Sequence, residues 1–125
     1  MKKVAYIGNM HQVAEYIHHA DNFQLTAIVC EEGKQTDELY TLSVIRDVPL
    51  FQINNVEKLR DLCNEYHFDH AVMCSFGKRI TGEVLQLMDV YNIHYAELPK
   101  YKGRHPTFYA IMNDEKSIGV SLHQV

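Results

Sequence analysis

The chain has 125 residues, 46% of them hydrophobic and 22% charged, which suffices for one small α/β domain that buries its own core without staples. Its formal charge of −4 and isoelectric point near 6.0 lack the basic stripe of a general phosphate-backbone binder, so nucleic acid is not an expected partner. No apolar run approaches the roughly 18 residues of a membrane span, and the apolar part of the N-terminal MKKVAYIGNM is too short for a signal sequence, so no membrane association and a cytoplasmic location are expected.

In chain order, Lys3–Ile7 (KVAYI) is a β-rich run that Gly8-Asn9 breaks, and Val13, Ala14, Tyr16 and Ile17 then recur at helical spacing through about Ala20. Gln24–Cys30 (QLTAIVC) is a second apolar strand. Asp37–Arg46 carries Leu39, Leu42, Ser43 and Arg46 at three- and four-residue steps and is predicted helical. Val48–Ile53 is predicted as a short strand, and Asn54-Asn55 as the cap of a helix from about Val56 to Tyr66. Asp69–Ser75 (DHAVMCS) is the next buried strand, Thr81–Met88 a short helix and Val90–His94 a further strand. Thr107–Met112 is predicted helical and Ile118–Val125 a last strand. Strands that are apolar almost throughout, alternating with helices, imply an α/β fold: a mostly parallel sheet with helices on both faces, in a single domain over residues 1–125.

The histidines and cysteines point to no metal. Cys30, Cys63 and Cys74 are an odd number without a C-x-x-C spacing and read as reduced core thiols, while His11, His18, His19, His67 and His70 repeat no ligand spacing. Doubly wound sheets bind ligands outside the carboxyl ends of their strands, so three strand ends matter. At the first, a single Gly8 falls short of a dinucleotide fingerprint and reads as a tight turn. At the second, Ser75-Phe76-Gly77-Lys78-Arg79-Ile80 combines an aromatic, a glycine and two cations, suited either to a planar ligand with an anionic tail or to a solvated turn. At the third, strand alternation sends Asn92 and His94 to one face, just before the long non-periodic loop Leu98–Pro106. Unpartnered, such a buried pair would cost roughly 1–3 kcal/mol per group, so it either bonds into the core or faces a cleft. An amide N–H can donate to a carbonyl oxygen becoming an oxyanion while an imidazole moves a proton, a combination suited to acyl transfer without a nucleophilic serine or cysteine.

The run Asn92-Ile93-His94-Tyr95-Ala96-Glu97-Leu98-Pro99-Lys100-Tyr101-Lys102-Gly103, followed by Gly119-Val120-Ser121-Leu122-His123, resembles the signature of the folate-dependent formyltransferases: N-x-H, then x-S-x-L-P-x-Y-R-G, then G-V-T-x-H. The resemblance implies a Rossmann-like N-terminal catalytic domain, 10-formyltetrahydrofolate as formyl donor and a primary amine as small-molecule acceptor. It implies that Asn92 polarises the formyl carbonyl, that His94 serves as general base or oxyanion partner, and that Ser75, Phe76, Gly77, Lys78, Arg79 and Ile80 lie against the pterin. The run Arg104-His105-Pro106-Thr107-Phe108-Tyr109-Ala110 looks most like the nucleotide-linked amino-sugar N-formyltransferases, which gives Lys102, Gly103, Arg104, His105 and Pro106 to the acceptor side.

Three departures from that pattern stand out. Ala96 replaces the usual serine, and Lys102 replaces an arginine, losing its planar fork. The family's catalytic aspartate falls beyond the segment matching Gly119–His123, and neither Asp114 nor Glu115 corresponds to it. The expectation is therefore a fragment of a longer enzyme, incomplete in its catalytic domain, weakly active or inactive alone, and prone to self-association into a homo-oligomer through exposed strand edges. Glycinamide ribonucleotide and methionyl-tRNA formyltransferases stay open as alternatives, as does a non-catalytic folate- or nucleotide-binding module.

Overall fold

The computed structural model describes residues 1–94 and 121–125, and all that follows concerns those residues. Strand β1 (Lys2–Gly8) buries Val4, Ala5, Tyr6 and Ile7 in succession, which a strand can do only when both faces of its sheet are covered. The chain continues through α1 (His11–His19), β2 (Phe23–Glu31), α2 (Asp37–Arg46), β3 (Leu50–Ile53), α3 (Lys58–Tyr66), β4 (His70–Cys74), α4 (Gly82–Leu85), β5 (Asp89–His94) and β6 (Ser121–Gln124). The sheet runs β3-β2-β1-β4-β5-β6. Every neighbouring pair is parallel except β5 and β6, which are antiparallel. This is the doubly wound α/β architecture expected from the apolar strands. The last strand, β6, lies at the edge of the described sheet, where it pairs with β5.

Each face of the sheet has its own core. Val4, Tyr6, Leu25, Ile28, Cys30 and Cys74 pack with Ala14 and Ile17 of α1 and Leu39 and Leu42 of α2. On the other face Ala5, Ile7, Ala27, Val29, Ala71, Met73 and Val90 pack with Leu59 of α3 and Val84 of α4. A strict two-residue period cannot send both Leu25 and Ile28 to one face. The conflict is resolved by a bulge: Val4 pairs with Leu25 and the next residue, Ala5, with Ala27, so Thr26 is the extra residue, its Oγ1 donating to Gln24 O at 3.1 Å.

Local chemistry sets the element ends. Thr36 Oγ1 accepts from Leu39 N at 3.1 Å at the start of α2, Asp37 and Glu38 occupy its first turn, Arg46 its last, and Asp47 closes it in the left-handed region at φ 55. The chain then folds back, with Val48 N donating to Ser43 O and Ser43 Oγ to Val48 O, so β3 begins at Leu50 rather than at the predicted Val48. Asn55 does cap the turn into α3, accepting from Lys58 N at 3.2 Å, but regular helix starts only at Lys58. The predicted helix Thr81–Met88 contracts to a single turn because the chain must straighten for Asp89 N to reach Asp69 O at 3.0 Å and open β5. The predicted helix Thr107–Met112 and the first residues of the last predicted strand lie outside the described residues.

Candidate active site

Strand β1 leads to β2 on one side of the sheet while β4, beside it, leads to β5 on the other. Their carboxyl ends therefore frame the switch point where doubly wound folds take ligands. Gly8 pairs there with Cys74 at φ 154, and a Cβ on it would meet Cys74 O at 1.9 Å and Tyr6 Oη at 2.5 Å. The glycine read as a simple turn is thus also a close approach of two strands. The buried Tyr6 hydroxyl occupies the gap, donating to Cys74 O at 3.0 Å and accepting from Met10 N at 2.9 Å. It ties the end of β1, the start of α1 and the end of β4 together.

The loop from Ser75 to Ile80 leaves β4 through a left-handed residue, Ser75 at φ 58, which stops the predicted strand one residue early. Ser75 Oγ lies 3.3 Å from Met10 Sδ. Phe76 packs against the α3/α4 core, to which the buried Ile80 belongs. Between them Gly77 N donates to Glu31 Oε1 at 2.6 Å, while Lys78 is half-buried and Arg79 exposed.

Met73 pairs with Asn92 in the parallel β4–β5 ladder, and Val90, two residues before Asn92, belongs to the α3/α4 core. Strand alternation therefore sets Asn92 and His94 on the same sheet face as Phe76 and Ile80. In the antiparallel ladder Asn92 stands opposite His123 and His94 opposite Ser121. His94 is 9% exposed, whereas Asn92 is half-buried. The structure thus brings together the strand-end pair and the Ser75–Ile80 loop. Lys102, Gly103, Arg104, His105 and Pro106 lie outside the described residues.

A groove of about 430 Å³ runs between α1 and α2, lined by His11, Glu15, Asp37, Glu38, Thr41, Leu42, Ile45 and Arg46. It belongs to the opposite layer from Asn92 and His94, and two of its lining residues, Glu15 and Arg46, pair with each other, the guanidinium holding the Glu15 carboxyl down at about 2. Burial pushes the Cys30 and Cys63 thiols up, away from reactive thiolate. Among the described residues no three His, Cys, Asp or Glu side chains gather as a metal site would require. Sequence reasoning missed Tyr6 and Glu31. A tyrosine inside a run as apolar as KVAYIG demands a partner for its hydroxyl and could have been flagged, whereas nothing local distinguishes Glu31 from the adjacent Glu32.

Sheet order and strand pairing define a doubly wound α/β domain, with the strand-end polar pair at the carboxyl end of β5. The chain belongs to the formyl transferase family, whose N-terminal family model, described as "Formyl transferase", matches residues 3–125. Among curated relatives, the methionyl-tRNA formyltransferase of Malacoplasma penetrans is 28% identical over 97% of this chain and 42% of its own length. That of Mycoplasma capricolum is 30% identical over 74% of this chain and 31% of its own. The chain therefore spans less than half the length of these relatives. Among solved structures, phosphoribosylglycinamide formyltransferase from Bacillus halodurans superposes with a TM-score of 0.85 at 18% identity, covering 99% of this chain and 72% of that one. A 4-N formyltransferase from Francisella tularensis gives 0.71 at 18% identity, covering 99% and 50%. At these identities the two structures speak for the fold.

Proposed function

We propose that residues 1–125 form part of a single catalytic domain that takes part in formyl transfer from 10-formyltetrahydrofolate to a primary amine. The carrying observation is the buried His94 beside Asn92 at the end of β5, on the same sheet face as Phe76 and Ile80, within a family match that spans nearly the whole chain. A pteridine needs an apolar wall and backbone hydrogen-bonding groups; in the Ser75–Ile80 loop the partly buried Phe76 offers an aromatic face, the buried Ile80 anchors the loop to the core, and the loop's peptide groups offer the hydrogen bonds. Asn92 donates to the formyl oxygen as negative charge develops, and His94 takes up or holds the proton that the attacking amine releases. Lys102, Gly103, Arg104, His105 and Pro106 serve the acceptor.

The finer assignment of the acceptor rests on the run from Arg104 to Ala110, which favours an amine on a nucleotide-linked amino deoxysugar. A second reading, methionyl-tRNA, draws on the relatives that bear that name; an acidic net charge of −4 in this chain does not favour a nucleic-acid acceptor. Calorimetry with 5-formyltetrahydrofolate, a stable relative of the donor, tests the donor site directly. Micromolar binding is expected, and a chain that binds uridine or thymidine diphosphate but no folate would overturn the proposal. In the polypeptide that carries residues 1–125, Asn92→Ala and His94→Ala are each expected to lower transfer by about 100-fold or more, read by mass spectrometry of the formylated amine. Comparing an amino-deoxysugar nucleotide with methionyl-tRNA as acceptor decides between the two.

A further inference from the structure

Glu31 ends β2, and its side chain reaches across the end of β1 to the loop that follows β4. Its Oε1 accepts from Gly77 N at 2.6 Å, a charge-assisted bond between a carboxylate and a peptide N–H. The bond spans the switch crevice, and Gly8, which ends the intervening β1, has no side chain of its own there. The loop is otherwise anchored near its ends: Ser75 Oγ lies against Met10 Sδ at 3.3 Å, and Ile80 is buried at 5% exposure. Glu31 thus holds the middle of the Ser75–Ile80 segment.

We propose that Glu31 is a positioning residue for the formyl donor: its carboxylate fixes the Gly77 peptide so that the Ser75–Ile80 backbone is already in its ligand-binding shape. The inference rests on the donor-site reading above. A loop held in its bound conformation loses less freedom on binding, so its anchor contributes to affinity without touching the ligand.

The test uses the 125-residue chain and 5-formyltetrahydrofolate as probe, with Glu31→Ala and Glu31→Gln as variants. Amide exchange at Gly77, followed by NMR, is expected to accelerate in Glu31→Ala together with a roughly tenfold rise in the calorimetric Kd. Glu31→Gln keeps an acceptor oxygen and is expected to restore most of both. Unchanged exchange at Gly77 in Glu31→Ala would refute the anchor. Faster exchange with unchanged folate affinity would make Glu31 a structural residue only and overturn the proposal. If the unmodified chain binds no folate, the donor-site reading itself falls and takes this inference with it. Urea midpoints of the variants close to that of the parent show that a folded protein is being compared.

Discussion

A methyl group at position 8 would stand 1.9 Å from Cys74 O and 2.5 Å from Tyr6 Oη, and the φ of 154 there suits glycine alone. Neither obstacle can step aside cheaply, because one is strand backbone and the other is a buried hydroxyl with two hydrogen bonds. Gly8→Ala is therefore expected to destabilise the chain by more than about 2 kcal/mol, seen as a lower urea midpoint at unchanged slope. A loss below about 0.5 kcal/mol would show that the two strands can part there. Tyr6→Phe keeps the ring but removes the hydroxyl between Met10 N and Cys74 O, for an expected cost of about 1–3 kcal/mol. At this scale the sequence was readable where chemistry is unusual for its setting. Asn92 and His94 stood out because polar side chains at the end of an apolar strand need a reason, whereas the role of Glu31 depends on a residue 46 positions away that no local pattern points to.

Among the elements, α1 and α2 share one face of the sheet and are joined at the surface by Glu15 and Arg46, with His19 Nε2 3.0 Å from the same carboxylate. The paired guanidinium is the main reason that Glu15 is lowered to about 2 from 4.5. Between those pH values the unfolded chain binds a proton that the folded chain does not, so stability is expected to rise with pH from about 2 to about 4.5 and then level off. Because the Glu15 side chain is 33% exposed, solvent screening reduces its contribution to about 0.5–1 kcal/mol, well below what the bare shift implies. Denaturation of Glu15→Gln across pH 2–6 checks this: the variant should lose that part of the slope and cost about the same amount at neutral pH. A slope identical to the parent's would assign the acid sensitivity to other carboxylates. Helix α2 was legible to the residue from the three- and four-residue steps of Leu39, Leu42, Ser43 and Arg46, and its cap and end charges in the structure agree with those bounds. Helix α4 was not, because the apolar spacing of Val84, Leu85 and Met88 fits a longer helix equally well, and the pairing that opens β5 with Asp89 N on Asp69 O depends on a distant residue.

For the molecule as a whole, the layered architecture followed from strands too apolar to face water on either side, and the structure keeps that arrangement with cores above and below one sheet. What strand composition could not reveal was pairing direction and phase: that the last described strand runs against its neighbour, and that β2 carries an extra residue. Both depend on partners distant in the chain. The bulge at Thr26 has a consequence for how this sheet tolerates change in length. Losing one residue from a buried strand ordinarily turns every later side chain over, exchanging the two layers and wrecking both. With Thr26 removed, Leu25, Ala27, Ile28, Val29 and Cys30 would fall into simple alternation, each still facing the layer it faces now. A chain lacking Thr26 is expected to fold with a cooperative thermal transition, whereas one lacking Ile28 is not, and circular dichroism melts of the two deletions would tell. Thr26 is thus a spare beat in the rhythm of β2, a place where the strand can be shortened by one residue without turning the protein inside out.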